Sequence, residues 1–133
     1  MPNKVAVAQS SSGMSFGITD REKTLVDACD RPELCGGILQ IAQALRAIDI
    51  LDWEKIDVYL DRFNSGAVYK RLGYLVEQLD IPMPDREIRL AAWKARLTQG
   101  IAWLEPGGVQ AGPVVTRWRI KVNSKTLEGT NDL

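Results

Sequence analysis

The residues that carry most enzyme chemistry are either missing from this chain or poorly grouped in it. No histidine stands anywhere among its 133 residues, which removes the commonest general base, the commonest transition-metal ligand and the base of Ser-His and Cys-His pairs. Catalysis would have to run on carboxylates, lysine, tyrosine or cysteine. The densest carboxylate group is Glu22, Asp27 and Asp30, and two such side chains facing one another could hold a divalent cation for phosphodiester chemistry. Glu22, however, follows Thr19 at the spacing of a capping box, and five residues of separation put Glu22 and Asp27 on different sides of a helix. Structural carboxylates are the expectation, with no catalytic residue and no metal site. Cys29 and Cys35 lack the companions of a closed zinc site and are expected as two reduced, mostly buried thiols. Gly36 and Gly37 precede a helical pattern, as in loops that cradle phosphate. Without the rest of a Walker or dinucleotide fingerprint they read as a turn between helices, and no cofactor is expected.

Basic side chains make the stronger case for a binding surface. Residues 114–122 alternate, with Thr116, Trp118, Ile120 and Val122 directed one way and Arg117, Arg119 and Lys121 the other. Lys70 and Arg71 lie on a predicted helix. These five form the candidate site for an acidic partner. A solvated face is the plainer reading, because strand surfaces commonly carry lysine and arginine against edge aggregation. The formal charge of zero, from 17 basic and 17 acidic residues, conceals an asymmetry: residues 1–66 hold 7 basic and 10 acidic side chains, residues 67–133 hold 10 and 7.

The elements that must position these residues follow from periodicity. A composition of 45% hydrophobic and 26% charged residues is that of a globular domain rather than a disordered or membrane-embedded chain. No stretch approaches the roughly 20 apolar residues of a membrane span, and no signal peptide is recognisable, so a cytoplasmic protein without a membrane partner is expected. Short strands are predicted around Val5 and Val7 and over residues 16–18, and a helix over 20–29 that Pro32 stops. Ile38, Ile41, Ala42, Leu45 and Ile48 mark a second helix, and Trp53, Ile56, Leu60 and Phe63 a third capped by Asp52. The fourth, over 66–79 with Ser65 as cap, contains Gly73, which implies close approach by a neighbour. A fifth is predicted over 85–98. The fold class is therefore helix-rich α+β, one domain over 1–133, with five helices against a small sheet made by N-terminal and C-terminal strands. Residues 1–15 and 124–133 are expected to be flexible or peripheral. The four tryptophans are expected in the core.

Three stretches carry a resemblance: T-D-R-E-K-T-L-V-D-A-C-D-R-P-E-L-C-G-G-I (residues 19–38), S-G-A-V-Y-K-R-L-G-Y-L-V-E-Q-L (65–79) and R-W-R-I-K-V-N (117–123). Together they resemble the C-terminal domain of the AbiEi-type antitoxins, the antitoxin half of the bacterial AbiE toxin–antitoxin systems, grouped as type IV and linked to abortive phage infection. The resemblance runs from about residue 16 to residue 123. It implies a non-enzymatic antitoxin domain that counters a nucleotidyltransferase-like toxin, by contact with the toxin or its target. Relatives usually also carry an N-terminal winged helix that binds promoter DNA. Only 18 residues precede Thr19 here, against roughly 60 for an unaided small domain, so the toxin-countering role carries over better than the repressor role. Within the matched stretches Lys70, Arg71, Tyr74, Arg117 and Arg119 are the positions expected to be exposed and to meet a partner. Asp27, Arg31, Gly36 and Gly37 are expected to hold the fold, with a local Arg31–Asp27 ion pair contributing under about 1 kcal/mol. The alternative is a fragment of a transcriptional regulator that binds nucleic acid through the basic strand and fourth helix.

Overall fold

The computed structural model describes residues 20–48 and 50–124; the strands expected near Val5, Val7 and 16–18, and the Thr19 cap, lie outside the described residues. Helix α1 (Arg21–Asp30) begins at Asp20, whose carboxylate accepts the amides of Glu22 at 3.1 Å and Lys23 at 3.3 Å. Glu22 serves a different helix. Its carboxylate accepts the amide of Asp52 at 2.8 Å, while Asp52 accepts the amide of Lys55 at 3.1 Å. The reciprocal pair of a capping box is thus divided between α1 and the start of α3 (Trp53–Phe63).

Pro32 opens a 3-10 turn (Pro32–Cys35), after which Gly36 and Gly37 adopt φ of 86° and 98°, values that a side chain would strain. They lead into α2 (Ile38–Ala47), which buries Ile38, Ile41, Ala42 and Leu45. Its first amide, on Ile38, donates to Glu105 at 2.8 Å. The position at which a glycine-rich loop would hold a phosphate is filled by the chain's own carboxylate.

Helix α4 (Gly66–Gln78) is buried continuously from Val68 to Val76 and is the axis of the molecule, with α1, α5 and the sheet packed around it. Helix α5 (Arg86–Lys94) ends four residues before the predicted limit. The amides of Arg96 and Leu97 reach back only three residues, to Trp93 and Lys94, tightening the last turn until the helix closes.

The sheet departs most from expectation. Residues 114–122 are not one strand but a hairpin of β2 (Val114–Val115) and β3 (Ile120–Lys121). Arg119 takes φ of 53° and reverses the chain, with turn bonds from Trp118 to Val115 and from Arg119 to Thr116. β3 lies centrally, parallel to β1 (Ala102–Trp103) through Ala102↔Ile120 and antiparallel to β2 through Val115↔Ile120. The described sheet is drawn wholly from the C-terminal part of the chain. The dry face nevertheless survives: Trp118, Ile120 and Val122 are buried and Arg117 and Arg119 exposed, although Thr116 is exposed as well.

The result is a helix-rich α+β fold, with five α-helices and a three-stranded mixed sheet among the described residues. Gly73 has the crowded neighbour its place in a helix implied, since a Cβ there would overlap the buried ring of Trp118. Trp53 and Trp93 are also buried, with ring centroids 6.3 Å apart, whereas Trp103 is half-buried. Both cysteines are free thiols; burial pushes Cys29 up to about 12, and Cys35 is half-buried. Arg31 pairs with Glu33 at 2.9 Å rather than with Asp27, which pairs with Lys23 at 2.9 Å. Among the described residues no helix is long and apolar enough to cross a membrane, and no cluster of three His, Cys, Asp or Glu side chains could hold a metal.

Candidate functional site

The six positions singled out from the sequence do gather in one part of the molecule, but three of them face inward. Lys70, Arg71 and Tyr74 were expected to be exposed; they are 3%, 7% and 4% accessible. The reason is α4's central position, which leaves almost no outward face. Arg71 donates from Nε to the carbonyl of Trp103 at 2.9 Å, and from Nη1 to those of Cys29 at 2.8 Å and Asp30 at 3.2 Å. Its guanidinium therefore satisfies the open C-terminal carbonyls of α1 and complements that helix's dipole while also holding β1. Burial lowers the proton affinity of Arg71, and it does the same to Lys70, with Arg119 and Arg71 adding like-charge repulsion to Lys70.

Lys70 reaches the segment after α5, donating to Thr98 Oγ1 at 2.9 Å and to the carbonyl of Gly100. Arg119 donates to the carbonyl of Thr98 at 3.1 Å. Arg117 is paired with Glu77 at 2.6 Å, and the same carboxylate oxygen accepts the Trp118 indole at 2.8 Å. Partial burial would raise Glu77; the bonds from Trp118 and Arg117 overcome this and hold it below the usual carboxylate range. Lys121, half-buried, stands 5.1 Å over the ring of Trp103. Of the six positions only Arg117 and Arg119 are exposed, and both are tied to the protein's own groups.

A second place has the shape of a site, and the sequence reading did not single it out. A cleft of about 410 Å³ opens between α3 and α5, with Tyr69 of α4 in its wall. Asp57 on α3 accepts the Trp93 indole at 2.8 Å and pairs with Arg89. Arg89, whose side chain is 11% accessible, also donates to the carbonyl of Trp53 at 3.3 Å. A turn further on, Arg96 pairs with Asp61 at 3.0 Å, donates to Asn64 at 3.2 Å and lies 5.2 Å over the ring of Tyr69. Arg89 Nε is buried without an acceptor among the described residues, an omission that costs on the order of 1–3 kcal/mol. Ile88, 74% accessible, and Asp85 stand exposed at the cleft's edge. Asp85 begins α5 with φ of 52° and makes no capping bond to it.

One signal for this cleft was present in the sequence. Asp57 and Asp61, like Arg89 and Trp93, are four residues apart and so share a helical face. What the sequence did not carry was that these two faces oppose one another. Comparisons with protein-family models, curated proteins and solved structures found no match to this chain.

Proposed function

We propose that the chain is a non-catalytic antitoxin domain that acts in the cytoplasm against a nucleotidyltransferase-like toxin, through contact with the toxin or its target. The observation that supports this reading is how the three resembling stretches meet. The first supplies α1 and the turn after it, the second α4, and the third the end of the hairpin. Arg71 joins the first to the second through the carbonyls of Cys29 and Asp30, and Gly73 and Glu77 join the second to the third through Trp118. Segments distant in sequence share one interlocked unit, so the resembling stretches lie at the packed centre of the fold rather than at its edges. A contact role also agrees with a chain that holds no histidine.

The nucleic-acid reading is weaker, because Lys70 and Arg71 are withdrawn into the core and cannot reach phosphate. Co-expression with the neighbouring toxin gene tests the antitoxin reading. Growth should recover in cells making this chain in soluble form; undiminished arrest beside a soluble, folded chain overturns it. A shift of upstream DNA that fades steeply with added salt would instead favour the regulator.

A further inference from the structure

We propose that the exposed turn over residues 98–101, backed by Lys70 and flanked by Arg119, binds a phosphate dianion. The inference names a ligand chemistry and does not rest on the antitoxin reading. It starts from an imbalance of charge. Lys70, only 3% accessible, donates to Thr98 Oγ1 at 2.9 Å and to the carbonyl of Gly100, both neutral groups, and has no ion pair among the described residues. Arg119 donates to the carbonyl of the same Thr98 at 3.1 Å and likewise has no ion pair among them. A buried ammonium is ordinarily matched by a carboxylate. The charges that act on this one, from Arg119 and Arg71, are both positive.

The turn adds donors and room. Thr98, Gln99, Gly100 and Ile101 are all exposed, and their amides make no hydrogen bond to the protein among the described residues. Successive amides of this kind are the donors from which backbone anion sites are built. A Cβ added at Gly100 would meet nothing within 4 Å, so the space beside the turn is open. The rest of the exposed Arg119 guanidinium is available, since a single Nη1 bond ties it to Thr98. Two cations without counter-ions and a row of free amides match a ligand with a double negative charge and several acceptor oxygens, which a carboxylate is not. Arg119 and the amides make the contacts, while Lys70 stays behind the turn and acts through its charge. Inorganic phosphate and phosphate monoesters carry the dianion; the diester of a nucleic-acid backbone carries a single charge.

The test is an amide NMR titration of the full chain at about pH 7.5, where phosphate is mostly dianionic, with ionic strength held constant by sodium chloride. The probes are inorganic phosphate, methyl phosphate and dimethyl phosphate. Inorganic phosphate should shift the amides of residues 98–101 and of Arg119 to saturation with Kd of about 5 mM. Methyl phosphate binding as tightly assigns the site to phosphorylated molecules, and binding at least about fivefold more weakly assigns it to the free ion; both outcomes support the site. Dimethyl phosphate should bind at least about fivefold more weakly than inorganic phosphate. Arg119→Gln should weaken phosphate by about fivefold or more, and Lys70→Met, which removes the buried charge and keeps an apolar chain of similar length, by about threefold. Arg119 is exposed, so its variant keeps the test decisive even where Lys70→Met does not fold. Absence of saturable shifts, shifts centred away from residues 98–101, dimethyl phosphate binding as tightly as phosphate, or an unchanged affinity in Arg119→Gln would each overturn the proposal.

Discussion

Arg71 and Arg89 are both nearly buried guanidiniums that join helices, yet they are satisfied in opposite ways. Arg71 donates only to backbone carbonyls, those of Cys29, Asp30 and Trp103. Arg89 leans on a carboxylate, Asp57, at the wall of an open cleft. In the first region a cation only 7% accessible occupies the open end of a helix, through bonds that are buried or part-buried. In the second an ion pair faces solvent, so either partner can be rehydrated when the other is lost. A basic residue in a sequence can thus be a clamp or a surface, and what distinguishes them is the access of water.

Removing each group should expose that difference. Arg71→Ala leaves three carbonyls without a donor and a void along α4; a loss of about 3 kcal/mol or more is expected, read as a lower urea midpoint of unfolding. An Arg71→Ala protein as stable as the parent would show that the clamp is dispensable. Asp57→Ala strands Arg89 and the Trp93 indole, but beside a cleft that water can enter, so a smaller loss of about 2 kcal/mol is expected by the same measurement. Equal or reversed losses would remove the distinction between the two regions.

The same contrast explains which parts of the molecule were legible in the sequence. Helices with a one-sided apolar stripe, such as Ile38, Ile41, Ala42 and Leu45, were readable because local periodicity reports burial directly. The close approach at Gly73 was readable for a similar reason. Lys70, Arg71 and Tyr74 were misplaced because a helix surrounded on all sides buries polar residues too, and only tertiary partners reveal that. Arg119 broke the predicted strand through a left-handed backbone angle that arginine rarely adopts, and no residue type announces it. The cleft stayed hidden because Asp57 and Arg89 become a pair only once α3 and α5 are neighbours.

Acid provides the mildest test, at the residue that links the two regions. Asp20 caps α1 of the clamp and accepts the hydroxyl of Tyr59 from α3, the helix that walls the cleft, with Lys55 3.2 Å away. Burial alone would raise its pKa; the hydrogen bonds from Tyr59 and the other donors outweigh it, and the carboxyl is held down to about 2 from an ordinary 3.8. A carboxyl depressed in the folded chain adds stability that is fully present above about pH 4 and disappears as pH falls from about 4 towards 2, because the unfolded chain takes up the proton first. The carboxylate keeps some contact with water, so the contribution is about 1 kcal/mol rather than the larger figure the shift alone would give. Asp20→Asn retains a capping side chain without the charge. Its stability should fall short of the parent's by about 1 kcal/mol at pH 6 and converge with it near pH 2, measured by urea unfolding across that range. A gap that stays constant with pH would mean that the Asp20 charge does not connect α1 to α3, and that the clamp and the cleft wall are joined there by shape alone.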